Sequence, residues 1–227
     1  MGEDGRARDV DDQGFKTHDS APLGRHATAV PDTADSDRRE GPRHIAVMRV
    51  AKLHTEKGEE LCLVRNISAG GLMAHIWSNL QVGDPLAAEF KSGHVATGKV
   101  VWRREQRIGV QFDELVDVAQ VLGGDEDPAP GFTPRAPRVT LSVKGRLRCG
   151  ARYYQVDVRN ISQGGIQISC DDPDLDERID NFTVVLTLNG LPPIEGTARW
   201  HGDGKAGIAF NTPIPLDTIG RWIAESL

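Results

Sequence analysis

Short apolar runs, each bounded by a polar or glycine-containing turn, recur along most of this chain. In the first half they fall at regular intervals, and no long helical pattern lies between them. The runs are Val47–Leu53, Glu59–Arg65, Leu72–Ile76, Leu86–Phe90, Gly98–Trp102 and Ile108–Phe112. Six short strands at this spacing are typical of an antiparallel β-barrel or β-sandwich.

The same series occurs a second time in the other half of the chain. The stretch Val64–Gly71 (VRNISAGG) returns about 95 residues later as Val158–Gly165 (VRNISQGG). Trp102 and Trp200 follow the two stretches in the same order, and each precedes a Gly-x-x-Phe sequence. The repeat predicts two tandem domains of one fold, because its length is that of a whole small domain.

Helical spacing is confined to the end of each repeat. Glu114–Leu122, capped by Asp113, is predicted to be a short helix, and residues 215–227 an amphipathic one. The terminal helix either packs on its own barrel or exposes an apolar face to a second copy.

We therefore predict an all-β protein with two tandem six-stranded antiparallel β-barrels, each followed by a short C-terminal helix. The expected segments are a disordered tail (1–37), the first barrel (38–122), a linker (123–132) and the second barrel (133–227).

The net charge of −6 is concentrated in the predicted tail. Residues 1–37 hold nine acids and four bases, so the remainder is nearly neutral. A near-neutral body with 5% aromatic residues argues against a DNA- or RNA-binding protein. No apolar stretch is long enough to span a membrane, so we expect a soluble, cytoplasmic protein without membrane insertion. The cysteines Cys62, Cys149 and Cys170 are scattered, which favours reduced thiols over disulfides or metal ligands.

The repeated Asn-Ile-Ser-x-Gly-Gly turn has two interpretations. In the first it only connects two strands: Asn66 and Ser68 bond to local backbone, and Gly71 takes a positive φ. In the second, Asn66 and Ser68 present polar groups to a ligand, and the glycines let that ligand approach the backbone. The turn alone favours the first interpretation, although the second better explains why both copies keep the same Asn, Ser and glycines.

Three arginines, Arg38, Arg39 and Arg43, stand just before the first predicted strand. A guanidinium offers paired donors that match both a phosphate group and the O6/N7 edge of guanine. The alternative is a solvated basic spot at the edge of a domain. The sequence contains no nucleophile elbow, phosphate-binding loop or paired metal-ligand motif, so we expect neither enzyme activity nor a bound metal.

The combination of Arg39-x-x-x-Arg43 with Asn66-x-Ser68-x-x-Gly71 resembles the signature of the PilZ family. In that family RxxxR is followed by [D/N]xSxxG on a six-stranded β-barrel, and the resemblance extends over both repeats. It implies a cytoplasmic bacterial receptor for cyclic di-GMP that has no catalytic activity and no other cofactor. Such a receptor would signal by a ligand-induced conformational change or by binding a protein partner. The alternative is a degenerate scaffold that acts through protein contacts alone.

The resemblance also implies a set of ligand-binding residues in the first domain. These are Arg38, Arg39, Arg43, Asn66, Ser68, Gly70, Gly71 and Trp102. The arginines would hold the phosphates and guanine edges, and Trp102 would stack on a base unless it belongs to the core, as the repeated Trp200 allows. Because a flexible arm would close on the ligand, residues 38–44 are expected to become ordered on binding.

The second repeat departs from the signature at its arginines. Pro134 stands at the position of Arg39, so the motif becomes Arg135-x-x-Arg138. Moving an arginine by one residue along an extended segment turns its side chain to the opposite side. We therefore expect this domain to be a structural or partner-docking copy. If it binds cyclic di-GMP, the implied residues are Arg135, Arg138, Asn160, Ser162 and Gly165.

Overall fold

The computed structural model describes residues 45–123, 136–179 and 183–227. The predicted tail, Arg38, Arg39, Arg43 and Arg135 lie outside these ranges, as does the predicted linker apart from Gly123. The described residues form two closed barrels of antiparallel strands, six in each, so the predicted fold class is confirmed. Both barrels belong to one compact unit, Glu40–Leu227.

The first barrel is built from alternating inward and outward residues. Its strands are β1 (Ile45–Thr55), β2 (Gly58–Ser68), β3 (Gly71–His75), β4 (Pro85–Glu89), β5 (Val95–Arg104) and β6 (Arg107–Phe112), followed by helix α1 (Val118–Leu122). The barrel closes in the order β1-β2-β3-β6-β5-β4. On β1 and β2, for example, Ala51, Leu53, Cys62 and Val64 point into the core and are fully buried, and this burial of apolar surface stabilises the barrel.

Helix α1 is shorter than predicted, and its cap is different. The Asp117 carboxylate accepts a hydrogen bond from the Ala119 N–H at 2.9 Å, as an N-cap does. Asp113 is not the cap, because the helix begins only at Val118 and the Asp113 N–H is held by the Thr97 carbonyl of the barrel at 3.0 Å. The Val116 N–H likewise donates to a turn carbonyl of the barrel, so the segment before Asp117 is held out of the helix.

The second barrel repeats the connectivity of the first. Its strands are β7 (Val139–Cys149), β8 (Arg152–Ser162), β9 (Gly165–Ser169), β10 (Thr183–Leu188), β11 (Ile194–Gly202) and β12 (Lys205–Phe210), closed in the order β10-β11-β12-β9-β8-β7. A one-turn helix, α2 (Asp174–Arg178), lies between β9 and β10, so the expectation of strands without intervening helices is wrong here. The turn forms because Leu175 is buried in the barrel core and the Asp172 carboxylate accepts from the Asp174 N–H.

The terminal helix α3 (Leu216–Ser226) packs on both barrels: it contacts β2 of the first, and its Ile219, Trp222 and Ile223 side chains are buried in the second core. Its apolar face is thus covered within the chain, by the first barrel as well as by its own. The helix also reaches the first barrel, because the Trp77 indole N–H donates to Asp217 at 2.9 Å. It therefore ties the two barrels together. Within the described ranges, no helix has the length and hydropathy needed to cross a membrane.

The cysteines are free and buried, as expected for reduced thiols. Burial raises the pKa of all three thiols, of Cys62, Cys149 and Cys170. A thiol that stays protonated is a poor nucleophile. The cysteines therefore act as small apolar core residues.

Candidate functional site

The serine and second glycine of each repeated turn have a structural role. The hydroxyl of Ser68 donates to the Gly71 carbonyl at 3.2 Å, and that of Ser162 donates to the Gly165 carbonyl at the same distance. Gly71 does not adopt a positive φ, so that prediction is wrong. Glycine is needed because a Cβ there would collide with the Val110 carbonyl oxygen, where β3 and β6 approach closely.

The asparagines of the two turns differ. The side-chain Nδ2 of Asn160 donates to Gln167 Oε1 at 2.6 Å. The Oδ1 atom of Asn66 is buried and has no hydrogen-bond partner among the described residues. Met73 faces Asn66 across the ladder at the position that Gln167 holds in the second barrel. A buried acceptor left unpaired is destabilising by about 1–3 kcal/mol, so Asn66 is suited to receive a donor from elsewhere.

Both repeated tryptophans lie on the outer surface of their barrels. Trp102 is 36% exposed and Trp200 47% exposed, so the core interpretation is wrong. Each indole lies against a glycine of the neighbouring strand, Gly109 or Gly207, where a Cβ would collide with the ring. An indole supported on one side and open on the other is suited to stack on a nucleotide base.

A β-bulge precedes each tryptophan and places a second side chain beside it. The ladder shifts between Val100 and Trp102 on β5, and at the equivalent place on β11. The inserted residue is Val101 in the first barrel and Arg199 in the second, and both point outward next to the indole. Arg199 was not predicted as a site residue, because strict strand alternation would place it opposite Trp200. The bulge that turns it toward the indole is visible only in the register of the ladder.

In the second barrel the motif residues surround a pocket of about 330 Å³. Its lining includes Arg138, Ser162, Gly165, Arg199 and Trp200. Neither arginine has an ion-pair or hydrogen-bond partner in the described part of the chain. The structure thus brings Arg138 together with the turn. Asn160 does not line this pocket but supports it through Gln167, which does.

In the first barrel the described site residues also share one surface. The Gly70 carbonyl accepts from the Phe112 N–H of β6 at 3.0 Å, and Trp102 lies against Gly109 of the same strand. The chain enters this barrel beside the turn, since Ile45 pairs with Ile67. The structure thus brings together the turn residues and Trp102. The arginines of this motif lie outside the described residues, so their place in the site remains a prediction.

Solved structures with a similar fold include three bacterial proteins. Borreliella burgdorferi PlzA in complex with c-di-GMP has 11% identity over 78% of this chain and 91% of its own, with a TM-score of 0.33. The Bacillus subtilis inhibitor of motility MotI/DgrA has 12% identity over 80% and 96%, with a TM-score of 0.31. Escherichia coli YcgR in complex with c-di-GMP has 10% identity over 79% and 83%, with a TM-score of 0.28. These scores mark a distant similarity, from which no ligand follows for this chain.

Comparison by sequence gives a more definite result. No curated protein sequence is significantly similar to the whole chain. The PilZ domain family, however, matches residues 37–122 and 133–225, which is most of the chain and one match for each barrel. The two barrels, the repeated turns and these matches agree, and the chain belongs to the PilZ family.

Proposed function

We propose that this protein is a non-catalytic receptor for cyclic di-GMP and that its first barrel is the principal site. Membership of the family supports the ligand class, and the first barrel alone carries both halves of the signature without a shift. The observation that carries the proposal is the buried Oδ1 of Asn66, which has no hydrogen-bond partner among the described residues. The local fold accounts for the serine and the second glycine, whereas this acceptor needs a partner from outside the barrel.

The ligand would lie between the arginine segment and the outer surface of the first barrel. Arg43 is two residues before Ile45, and two residues span at most about 7 Å, so the segment begins close to the turn. Arg39 and Arg43 would hold the phosphates and the guanine edges through paired N–H donors. Asn66 would accept an N–H from guanine or from a guanidinium, and Trp102 would stack on a base.

The second barrel fits a weaker site. Its arginine motif is shifted by one residue, and its asparagine is already hydrogen-bonded to Gln167. Arg138 and Arg199 nevertheless lie beside an exposed tryptophan and have no partner among the residues that the structure describes. A phosphate and a base could occupy that pocket, with fewer directed contacts than in the first barrel.

Ligand binding would change the contact between the two barrels. The Thr140 N–H, two residues after Arg138, donates to Glu59 of the first barrel at 2.6 Å. A ligand that moves the arginine segment of the second barrel would therefore strain or release this contact. We infer that the signal is a change in the relation of the barrels or in the binding of a protein partner.

Isothermal titration of the purified protein with cyclic di-GMP and cyclic di-AMP tests this function. We expect saturable binding of cyclic di-GMP and at least tenfold weaker binding of cyclic di-AMP, because adenine presents a donor where guanine presents O6. The Asn66→Ala variant should lose most of the affinity, and Asn160→Ala serves as the matched control. Absence of binding by the unmodified protein would favour the alternative function, a scaffold acting through protein contacts alone.

A further inference from the structure

Strand β7 carries a row of three cations on the outer surface of the second barrel. Lys144, Arg146 and Arg148 occupy alternate positions, all are exposed, and successive ones are about 7 Å apart along the strand. In the described ranges none of them forms an ion pair. Arg146 instead lies over the ring of Tyr153, 4.9 Å from its centroid. We call Lys144, Arg146 and Arg148 the basic row.

The equivalent positions of the first barrel are Val50, Lys52 and His54, and the two polar ones face carboxylates. Lys52 Nζ lies 2.8 Å from Glu89 Oε2, and His54 Nε2 lies 2.7 Å from the same atom. Glu59 Oε1 lies 3.4 Å from both Lys52 and His54. Two carboxylates of the first barrel thus face the groups that correspond to Arg146 and Arg148.

The second barrel keeps the cations but has lost both carboxylates. The ladder pairs Arg148 with Tyr153, as His54 pairs with Glu59. The ladder also pairs Arg146 with Thr187, as Lys52 pairs with Glu89 in the first barrel. Neighbouring like charges on one face of a sheet repel. An anion from outside the barrel would therefore stabilise the basic row.

The corresponding face of the first barrel is a protein-binding face. Val50 and Leu61 pack against the hydrophobic core of the second barrel, and Glu59 accepts from the backbone N–H of Thr140. On the second barrel no described element covers the equivalent face, and Tyr153 there is 60% exposed. The outer face of the first two strands is therefore buried in the first barrel, and in the second barrel no described element covers it.

We propose that the basic row and Tyr153 form a docking surface for an acidic protein segment. Its carboxylates would take the places that Glu59 and Glu89 hold in the first barrel. Arginine and tyrosine are among the residues that contribute most to protein–protein affinity. The proposal is independent of cyclic di-GMP binding, because the row lies outside the nucleotide pocket.

Nucleic acid fits this surface less well. Asp157 pairs with Lys144 across the ladder, and Asp171 and Asp172 line a pocket beside it, so any anionic partner is favoured at the Arg146 and Arg148 end of the row. The Tyr153 ring is already covered on one side by Arg146 and offers little room for base stacking.

Fluorescence anisotropy with a labelled peptide of alternating glutamate and threonine tests the proposal on the full-length protein at low salt. The variant Lys144→Gln/Arg146→Gln/Arg148→Gln should bind the peptide about tenfold more weakly, as expected from three exposed ion pairs. The control Lys99→Gln/Arg104→Gln/Arg107→Gln removes the same charge from exposed strand positions of the first barrel. It should bind the peptide like the unmodified protein.

Three results would overturn the proposal. The first is no binding of the peptide, and the second is equal weakening of peptide binding in both triple variants. The third is that the basic row binds an oligothymidylate or a phosphatidylserine vesicle more tightly than it binds the peptide. The second result would mean non-specific attraction, and the third a nucleic-acid or membrane surface. Thermal unfolding of both variants checks that they are folded, and their cyclic di-GMP titrations should match that of the unmodified protein.

Discussion

The two barrels share one connectivity and one turn sequence, yet the asparagines of their turns have different surroundings. The Nδ2 of Asn160 donates to Gln167, whereas the Oδ1 of Asn66 is buried with no partner in the part of the chain that the structure describes. The turn serines bond in the same way in both copies. This difference separates what the fold requires from what a ligand would require: the serine and second glycine form the turn, and the asparagine of the first barrel is left to bind something else.

The outer faces of the barrels also differ, but here it is the second barrel whose β7 cations lack ion-pair partners among the described residues. In the first barrel Lys52 of β1 is paired with carboxylates and the face is buried against the second barrel. In the second barrel the corresponding face is charged and exposed. Under the two proposals above, the nucleotide and the protein partner bind to different copies of the duplicated domain, and each of the following variants compares one copy with the other.

The largest difference is expected between the two asparagines. Asn66→Ala should weaken cyclic di-GMP binding about tenfold to a hundredfold, the value of one hydrogen bond to a charged group, and should not lower the free energy of unfolding. Asn160→Ala should lower that free energy by about 1 kcal/mol and change binding little. Calorimetric titration and urea unfolding of both variants measure the two effects. Equal binding losses would mean that both turns serve the ligand alike.

The two tryptophans should differ in the same direction. Trp102→Ala removes a stacking surface and should weaken binding by about 1–3 kcal/mol, whereas Trp200→Ala should affect only the weaker site. Since both rings are partly exposed, neither variant should unfold its barrel. Titration followed by tryptophan fluorescence measures the loss. A Trp102→Ala variant that binds normally but melts at a much lower temperature would assign the ring a structural role.

Exchange of the bulge residues should give a smaller effect. Arg199→Val removes an unpaired guanidinium from the second pocket, and Val101→Arg adds one beside Trp102. Each change should alter the affinity of its own barrel for cyclic di-GMP by about twofold to fivefold, which is the contribution expected of an exposed ion pair. Titrations at low and high salt measure it, since the effect should shrink as salt rises. A change in the affinity of the other barrel would contradict the assignment of each bulge residue to the site of its own barrel.

An effect of similar size concerns the pH dependence of the contact between the barrels. Burial alone would raise the pKa of Glu59, but the Thr140 N–H and Lys52 outweigh it and lower the pKa below its ordinary 4.5. Glu59 therefore stabilises the fold fully above that value, and the contribution is lost as the pH falls through the lower pKa of the folded state. Glu59→Ala should lower the free energy of unfolding at pH 7 by about 1 kcal/mol and match the unmodified protein in strong acid. The exposed Glu56→Ala is the control, and an equal loss at both pH values would contradict this account.

Much of the fold could be predicted from the sequence because the chain repeats itself. The paired Asn-Ile-Ser-x-Gly-Gly turns and the tryptophans that follow them fixed the number of domains and the order of strands. Helix boundaries were less predictable: Asp113 and Asp117 are both good caps, and only the hydrogen bond from Asp113 to Thr97 excludes the first. Helix α2 was missed because a single turn leaves no periodic pattern.

The motif residues could be named from the sequence, but their surroundings could not. Arg199 was missed because a bulge, which strand alternation does not reveal, turns it toward Trp200. The different roles of Asn66 and Asn160 depend on the residue across the ladder, Met73 in one barrel and Gln167 in the other. Pairing of that kind is set by register, so it becomes visible only in the folded chain.

The central claim is that the arginines before the first barrel hold cyclic di-GMP. Isothermal titration of Arg39→Ala, Arg43→Ala and Arg138→Ala proteins tests it most directly, since all three changes remove the same group. Loss of either Arg39 or Arg43 should abolish most of the binding, and loss of Arg138 should change it little. The opposite ranking would contradict the account and assign the main site to the second barrel.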